Sequence, residues 1–283
     1  MPALTDLLIG SISDDLEGSS PYPVVDLPRL RALSISSGVG ALTAVLRNIT
    51  FPHSAILELT CKENQSTQID FSNFLSVLAT KFLSSLIFRS LSLQAAIDGL
   101  EFCLWTTAII HDCFPISDPQ LKLLLTWPTP YSPVHVKALT CAFDAMSLPF
   151  LIQLKISTSD CIDSQTWVET FGRLPLLEWV CVRECYGTKQ FLEALVYKTK
   201  AAEKSKAAYR NISFPKLRYI QLESIYFGEN FSASISVDML LDCLMERFER
   251  NAGVQGLRLE DCCAISSRDV ELLEEIVVGV IWE

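Results

Sequence analysis

The chain has 283 residues, 49% hydrophobic and 20% charged, enough apolar side chain for a large core and incompatible with global disorder. Lys plus Arg is 23 and Asp plus Glu is 33, and the net charge of −10 argues against a general phosphate-binding surface while leaving room for a local basic patch. Ten cysteines and three histidines complete an inventory that names no activity.

One short apolar pattern recurs along the chain. Leu4, Leu7 and Ile9 form its first copy, and Leu27-Pro28 then introduces Leu30, Leu33 and Ile35. Phe51-Pro52 precedes Leu57 and Leu59, with Ser54 at the first position, and a copy without proline follows at Leu83, Leu86 and Phe88. Weaker copies lie around Phe102 and Leu104, and around Leu123 and Leu125, where the register between 99 and 135 is ambiguous. Proline returns in Leu148-Pro149 with Leu151, Leu154 and Ile156, in Leu174-Pro175 with Leu177, Val180 and Val182, and in Phe214-Pro215 with Leu217, Ile220 and Leu222. Val254, Leu257 and Leu259 form the last copy.

Two apolar residues spaced by two share one face of a strand, and a proline just ahead cannot donate to a ladder and stops a preceding helix. Each copy therefore predicts a short strand. Helical spacing appears between the later copies: Asp163–Phe171 groups Trp167, Val168 and Phe171, and Gln190–Tyr197 groups Phe191, Leu192 and Leu195. Val237–Phe248 groups Leu240, Leu241, Leu244 and Phe248, Arg268–Glu275 reads as a helix, and Ile276–Trp282 as a last strand. The middle apolar positions are separated by 26, 24, 29, 16, 21, 31, 26, 40 and 37 residues, mostly near the 20–29 of leucine-rich repeats. The gap of 16 is too short for a helix and sets the strand near Phe102 at odds with the pattern. The longest gap contains residues 187–212, expected to be a basic helix and loop insertion.

The segment Val254, Leu257, Leu259, Cys262, Ile265, Val270, Leu273 resembles the cysteine-containing leucine-rich repeat. In that repeat a Cys or Asn after the strand satisfies backbone groups in the turn, a role the resemblance gives to Cys262 and to Cys185. Gly38, Lys62, Ser159 and Ile225 depart from it. With its Leu/Phe-Pro-x-Leu spacing and degenerate helices, the whole chain resembles the repeat region of fungal F-box proteins, particularly the basidiomycete set. That resemblance implies an α/β leucine-rich-repeat solenoid, a horseshoe with parallel strands on the concave face and helices on the convex face, as one domain over 1–283. It also implies the substrate-recognition region of an F-box-type ubiquitin ligase receptor. The F-box is not visible, and the strand triplet so close to Met1 leads us to expect a start inside a repeat. A ubiquitin ligase adaptor is expected as partner only if an F-box is encoded upstream.

Residues Met1 to Asp15 contain no Lys or Arg and carry Asp6, Asp14 and Asp15, unlike a secretory signal or a transit peptide. No apolar run approaches the roughly 20 residues that span a bilayer. A cytoplasmic or nuclear protein is expected, with neither membrane nor nucleic acid as partner. The sequons at Asn48, Asn64, Asn211 and Asn230 carry little weight there. The cysteines then read as thiols. No CxxC occurs, and His53, His111 and His135 show no ligand-like pairing, so no metal or other cofactor is expected.

Alternate strand residues of such a repeat line its concave face, here Trp105, Lys155, Trp179, Arg183, Tyr219, Gln221, Glu223, Arg258 and Glu260. Trp, Tyr and Arg dominate interface energetics, so this is either a protein-binding surface or an ordinary solvated sheet face. Lys189, Lys198, Lys200, Lys204, Lys206 and Arg210 face only Glu193 and Glu203 across their segment, as a docking or nuclear-targeting patch or as a solvated helix and loop. His111-Asp112-Cys113 places three catalytic residue types in a row, but sequence neighbours point apart, and no GxSxG, P-loop, GxGxxG or HExxH is present. The expectation is a non-enzymatic protein-protein interaction module. A structural remnant of a truncated repeat protein without a retained partner comes second, and an enzyme without a recognisable motif third. Val277, Val278, Val280 and Ile281 would leave an apolar edge, with association expected unless another segment covers it.

Overall fold

In the computed structural model, residues 4–10, 12, 23–62, 70–96, 98–108, 117–128, 132–157, 162–184, 187–197, 212–228 and 235–283 are described. They form a mixed α/β fold whose strands are mostly parallel, and their contacts gather into two compact units divided at the Leu148-Pro149 signature.

The first unit contains β1 (Asp6–Ile9), β2 (Val25–Asp26), β3 (Ala32–Gly38), α1 (Val39–Asn48), β4 (Ile49–Thr50), β5 (Ile56–Lys62) and α2 (Ser72–Lys81). A 3-10 turn at Leu83–Ser85, β6 (Ser90–Ala96), β7 (Gly99–Trp105), β8 (Leu121–Thr126) and α3 (Ser132–Met146) complete it. Its sheet runs β1-β3-β5-β8-β7-β6, with β2 and β4 paired apart. Leu33 and Ile35 of β3, and Leu57 and Leu59 of β5, are buried beneath the helices, while Ser34, Ser36, Glu58 and Thr60 take the other face. Leu30 is buried as well but precedes its strand. The step of three, then two, thus reports a turn entering a strand.

Two expectations fail in this unit. Leu83, Leu86 and Phe88 do not form a strand: Leu83 begins the 3-10 turn, and the strand starts at Ser90, where Leu91 and Leu93 alternate with serines. Nor are all strands parallel, because β6 and β7 make an antiparallel hairpin and β7 is also antiparallel to β8. The gap of 16 runs from Leu86, which lies outside any strand; β6 in fact precedes β7 directly, and their hairpin needs only a tight turn where a parallel crossover needs a dozen residues or more. Gly99 opens β7 where a Cβ would lie 2.6 Å from the backbone oxygen of Leu125, so that close approach requires glycine.

The second unit, Pro149–Glu283, contains β9 (Gln153–Ser157), α4 (Ser164–Thr170), β10 (Trp179–Arg183), α5 (Thr188–Leu195), β11 (Tyr219–Glu223), α6 (Val237–Glu249), β12 (Gly256–Glu260), α7 (Ser267–Glu274) and β13 (Gly279–Trp282). The five strands are parallel and adjacent in chain order. Leu154, Val180, Ile220 and Leu257 form one buried row across them, and Ile156, Val182, Leu222 and Leu259 the next. Leu151, Leu177, Leu217, Val254 and Val277 close the core just ahead of the strands. On the helical side Trp167 packs against Phe171, Phe191 and Phe214, with ring centroids 5.1, 5.0 and 6.5 Å away.

Helix starts follow local chemistry. Asp163 caps α4 by accepting from Thr166 N at 2.7 Å, Ser236 caps α6, and Ser266 with Asp269 makes a reciprocal capping box on α7. The ends of three strands are less ordinary. Glu184, Ser224 and Asp261 adopt left-handed conformations (φ 74, 57 and 51°), and each donates its N–H to the carbonyl of the next strand or its C-terminal extension, Glu223, Glu260 and Glu283. The chain leaves the sheet there without giving up that ladder bond, at a conformational cost of about 1–2 kcal/mol per residue.

Helix α6 corrects the expected inner stripe. Leu240, Cys243, Leu244 and Arg247 are buried, while Phe248 is 66% exposed. The Arg247 guanidinium donates to three backbone carbonyls, Leu195 (3.2 Å) and Ser213 (2.9 Å) from Nη1 and Phe214 (3.0 Å) from Nη2. Burial pushes its pKa down to about 10, so it stays protonated at neutral pH. The final strand is also shorter than expected, with Val277 buried in the turn before it and Val278 exposed.

Candidate functional site

The strands of the second unit bring eight of the nine expected surface residues onto one face. Gln153, Trp179, Tyr219, Gly256 and Gly279 align in its first row, Lys155, Cys181, Gln221, Arg258 and Ile281 in its second. Ser157, Arg183, Glu223 and Glu260 form a third, where Glu283 continues β13 and donates its N–H to Leu259 O. The in-register parallel pairing produces these rows, since every strand presents the same alternation to the same side.

Trp105 is the exception. It ends β7 of the first unit, is buried, and donates its indole N–H to Ser117 O at 2.8 Å. Its place in the alternation suggested a surface; instead the ring is buried, with its one polar atom satisfied.

Polar groups on the face are tied to one another. Lys155 Nζ reaches over β10 to donate to Glu223 Oε2 at 2.8 Å, and Arg183 Nε lies 3.4 Å from the other oxygen of the same carboxylate. Gln221 donates to Glu260 Oε2 at 2.7 Å. Arg258 Nε makes a charge contact with that same oxygen at 3.3 Å, while its Nη2 donates to Glu283 at 2.9 Å. Ser157 Oγ donates to Glu184 at 3.4 Å. Half-exposed pairs of this kind contribute about 0–1 kcal/mol each, so the network orients side chains more than it stabilises the fold.

Beneath the Lys155–Glu223 bridge lies Cys181, fully buried and donating weakly to Glu223 Oε2 at 3.7 Å. Burial, with the Glu223 carboxylate adding to it against Lys155, pushes the thiol up to about 12. A thiol held protonated is a poor nucleophile and a poor metal ligand. Burial likewise raises Cys103 and Cys243 to about 12. At the first row the Tyr219 ring lies over Gly256, where a Cβ would be 2.7 Å from Cδ1, while a Cβ on Gly279 would meet nothing nearer than 3.8 Å. The floor beside the tyrosine is therefore open, with half-exposed Ile281 next along β13.

Sequence reasoning left out Gln153, Ser157, Cys181, Ile281, Glu283 and the two glycines. Register alone would have found them, since each occupies a face position of its strand. Cys262 Sγ lies 3.3 Å from Leu222 O and 3.5 Å from Glu260 O. Cys185, the His111-Asp112-Cys113 run and Lys198 to Arg210 fall outside the described residues. Lys189, in α5, is described. His135 is a core residue whose Nε2 meets Ala96 O at 2.8 Å and whose ring stands edge-on to Trp127. Among the described residues no group of three or more His, Cys, Asp or Glu is placed to hold a metal ion, and no helix is long and apolar enough to cross a membrane.

A scan against profiles of known protein families matches none of them, and a search of curated proteins finds no match.

Proposed function

We propose that the chain is a non-enzymatic protein-interaction module, a leucine-rich-repeat solenoid whose binding surface is the strand face of residues 149–283. The observation that carries this reading is the convergence of Trp179, Tyr219 and Arg183, residue types that dominate interface energetics, on one face of five parallel strands. Ordered side chains support it, because the bridges through Glu223 and Glu260 hold long polar residues in place before a partner arrives. The resemblance to fungal F-box proteins makes the partner a substrate of a ubiquitin ligase, in the cytoplasm or nucleus.

Replacing Trp179 and Arg183 together by alanine tests the reading. Affinity capture with the wild-type chain is expected to recover a partner that the double variant, with an unchanged circular dichroism spectrum, fails to recover. Equal recovery by the two proteins would remove this face from the binding site.

A further inference from the structure

Resting on the reading of this face as a protein-binding surface, we propose that its partner is an extended acidic segment. One carboxylate of that segment sits on the Arg183 guanidinium, and an apolar or aromatic side chain about four residues away lies against Trp179 and Tyr219.

Which charges on the face remain available decides the chemistry. Glu223 is shared by Lys155 and Arg183, Glu260 is held by Gln221 and Arg258, Glu283 by Arg258, and Glu184 by Ser157. A basic partner would have to break one of these pairings. Arg183 is different. Its side chain is 48% exposed, and its single contact is made through Nε to Glu223 at 3.4 Å. Among the described residues the two terminal nitrogens have no partner. They form a rigid fork whose geometry matches a carboxylate bidentately.

Trp179 and Arg183 are the two ends of β10, on the same face. Four residues of strand separate them by about 13 Å, and an extended peptide has the same rise, so residues four apart on the peptide meet both. Tyr219 stands next to Trp179 in the first row, so one large apolar side chain of the peptide can lie against both rings. The overall charge of −10 does not oppose this arrangement. On the face itself Lys155, Arg183 and Arg258 stand against Glu223, Glu260, Glu283 and Glu184, each of these carboxylates already has a donor, and charges elsewhere are screened beyond about 8 Å at physiological salt. Among the described residues of this face a polyanion such as nucleic acid would find one open cation where it needs several.

The test is selection of dodecapeptides from a displayed random library on the full chain, followed by titration of the selected peptides by fluorescence anisotropy. Enrichment of Asp or Glu three to five residues from Trp, Phe or Leu is expected. Arg183→Gln should then weaken binding by about tenfold or more, the loss of one charge-assisted hydrogen bond or two. Changing the selected acid to its amide should weaken wild-type binding equally and leave the variant unaffected. Peptides that lose binding with Trp179→Ala but show no acidic preference, or that bind Arg183→Gln as well as wild type, would overturn this inference and leave the binding face intact. Selection of no peptide, selection of peptides indifferent to both substitutions, or tighter binding of a single-stranded 12-mer DNA would overturn both.

Discussion

Arg247 is a fully buried charge with no carboxylate beside it among the described residues, and replacing it by methionine measures what three carbonyls are worth to it. Methionine keeps most of the stem and its packing. Phe214 O retains a second donor, Leu217 N at 3.2 Å, so the loss falls mainly on the carbonyls of Leu195 and Ser213. Two stranded buried acceptors at about 1–3 kcal/mol each, plus a weaker third bond, place the cost at roughly 3–5 kcal/mol. With a urea slope of about 1–3 kcal/mol per molar, the unfolding midpoint should fall by about 1 M or more. Arg247→Lys should cost about half as much, because one ammonium cannot reach all three carbonyls that the two terminal nitrogens span. Urea titration followed by circular dichroism, with hydrogen exchange of α5 and α6, reads both variants. A methionine variant as stable as wild type would refute the reasoning, showing that the desolvation cost of the guanidinium equals what the carbonyls return.

Other consequences follow from single contacts. Gly99→Ala pushes a Cβ to 2.6 Å from the Leu125 backbone oxygen and should destabilise the first unit by about 1–3 kcal/mol, whereas Gly256→Ala meets only the Tyr219 ring, which can swing toward solvent, and should cost under about 1 kcal/mol; thermal denaturation compares them. Exposed Cys263 should react with iodoacetamide at pH 8 well before Cys181, whose thiol burial holds near 12, as peptide mass spectrometry of the native protein would reveal. Ser266→Ala removes the acceptor for Asp269 N and the donor to its carboxylate, and should loosen α7 by about 1 kcal/mol, measured as faster hydrogen exchange across 267–274.

Much of the second unit was legible because its signals are local. The proline offset and the step of three then two mark each turn-to-strand entry, and β9, β10, β11 and β12 all begin where that pattern places them. Helices α4, α5, α6 and α7 lie within a residue or two of their expected limits. In-register pairing then turned a list of alternate residues into a continuous face, and eight of the nine expected residues lie on it.

The first unit resisted the same reasoning. Serine alternating with leucine in β6 carries no proline signature, and nothing local distinguishes a strand that returns antiparallel from one that crosses over. The strand ends at Glu184, Ser224 and Asp261 were hidden too, because left-handed conformations are normally announced by glycine and none is present at these positions.

By itself, then, the sequence determined where strands begin and which of their side chains seek the core, since proline geometry and a period of two act within a few residues. Only the tertiary structure decided strand direction, the burial of Trp105 and the choice of Arg247 over Phe248 for the inner stripe of α6. Each of these depends on partners distant in the chain: a neighbouring strand, Ser117 O for the indole, and three carbonyls for the guanidinium. A hydrophobicity pattern counts an arginine as outward and a tryptophan as free to serve either side. Hydrogen-bond partners supplied from elsewhere in the fold reversed the first expectation and settled the second.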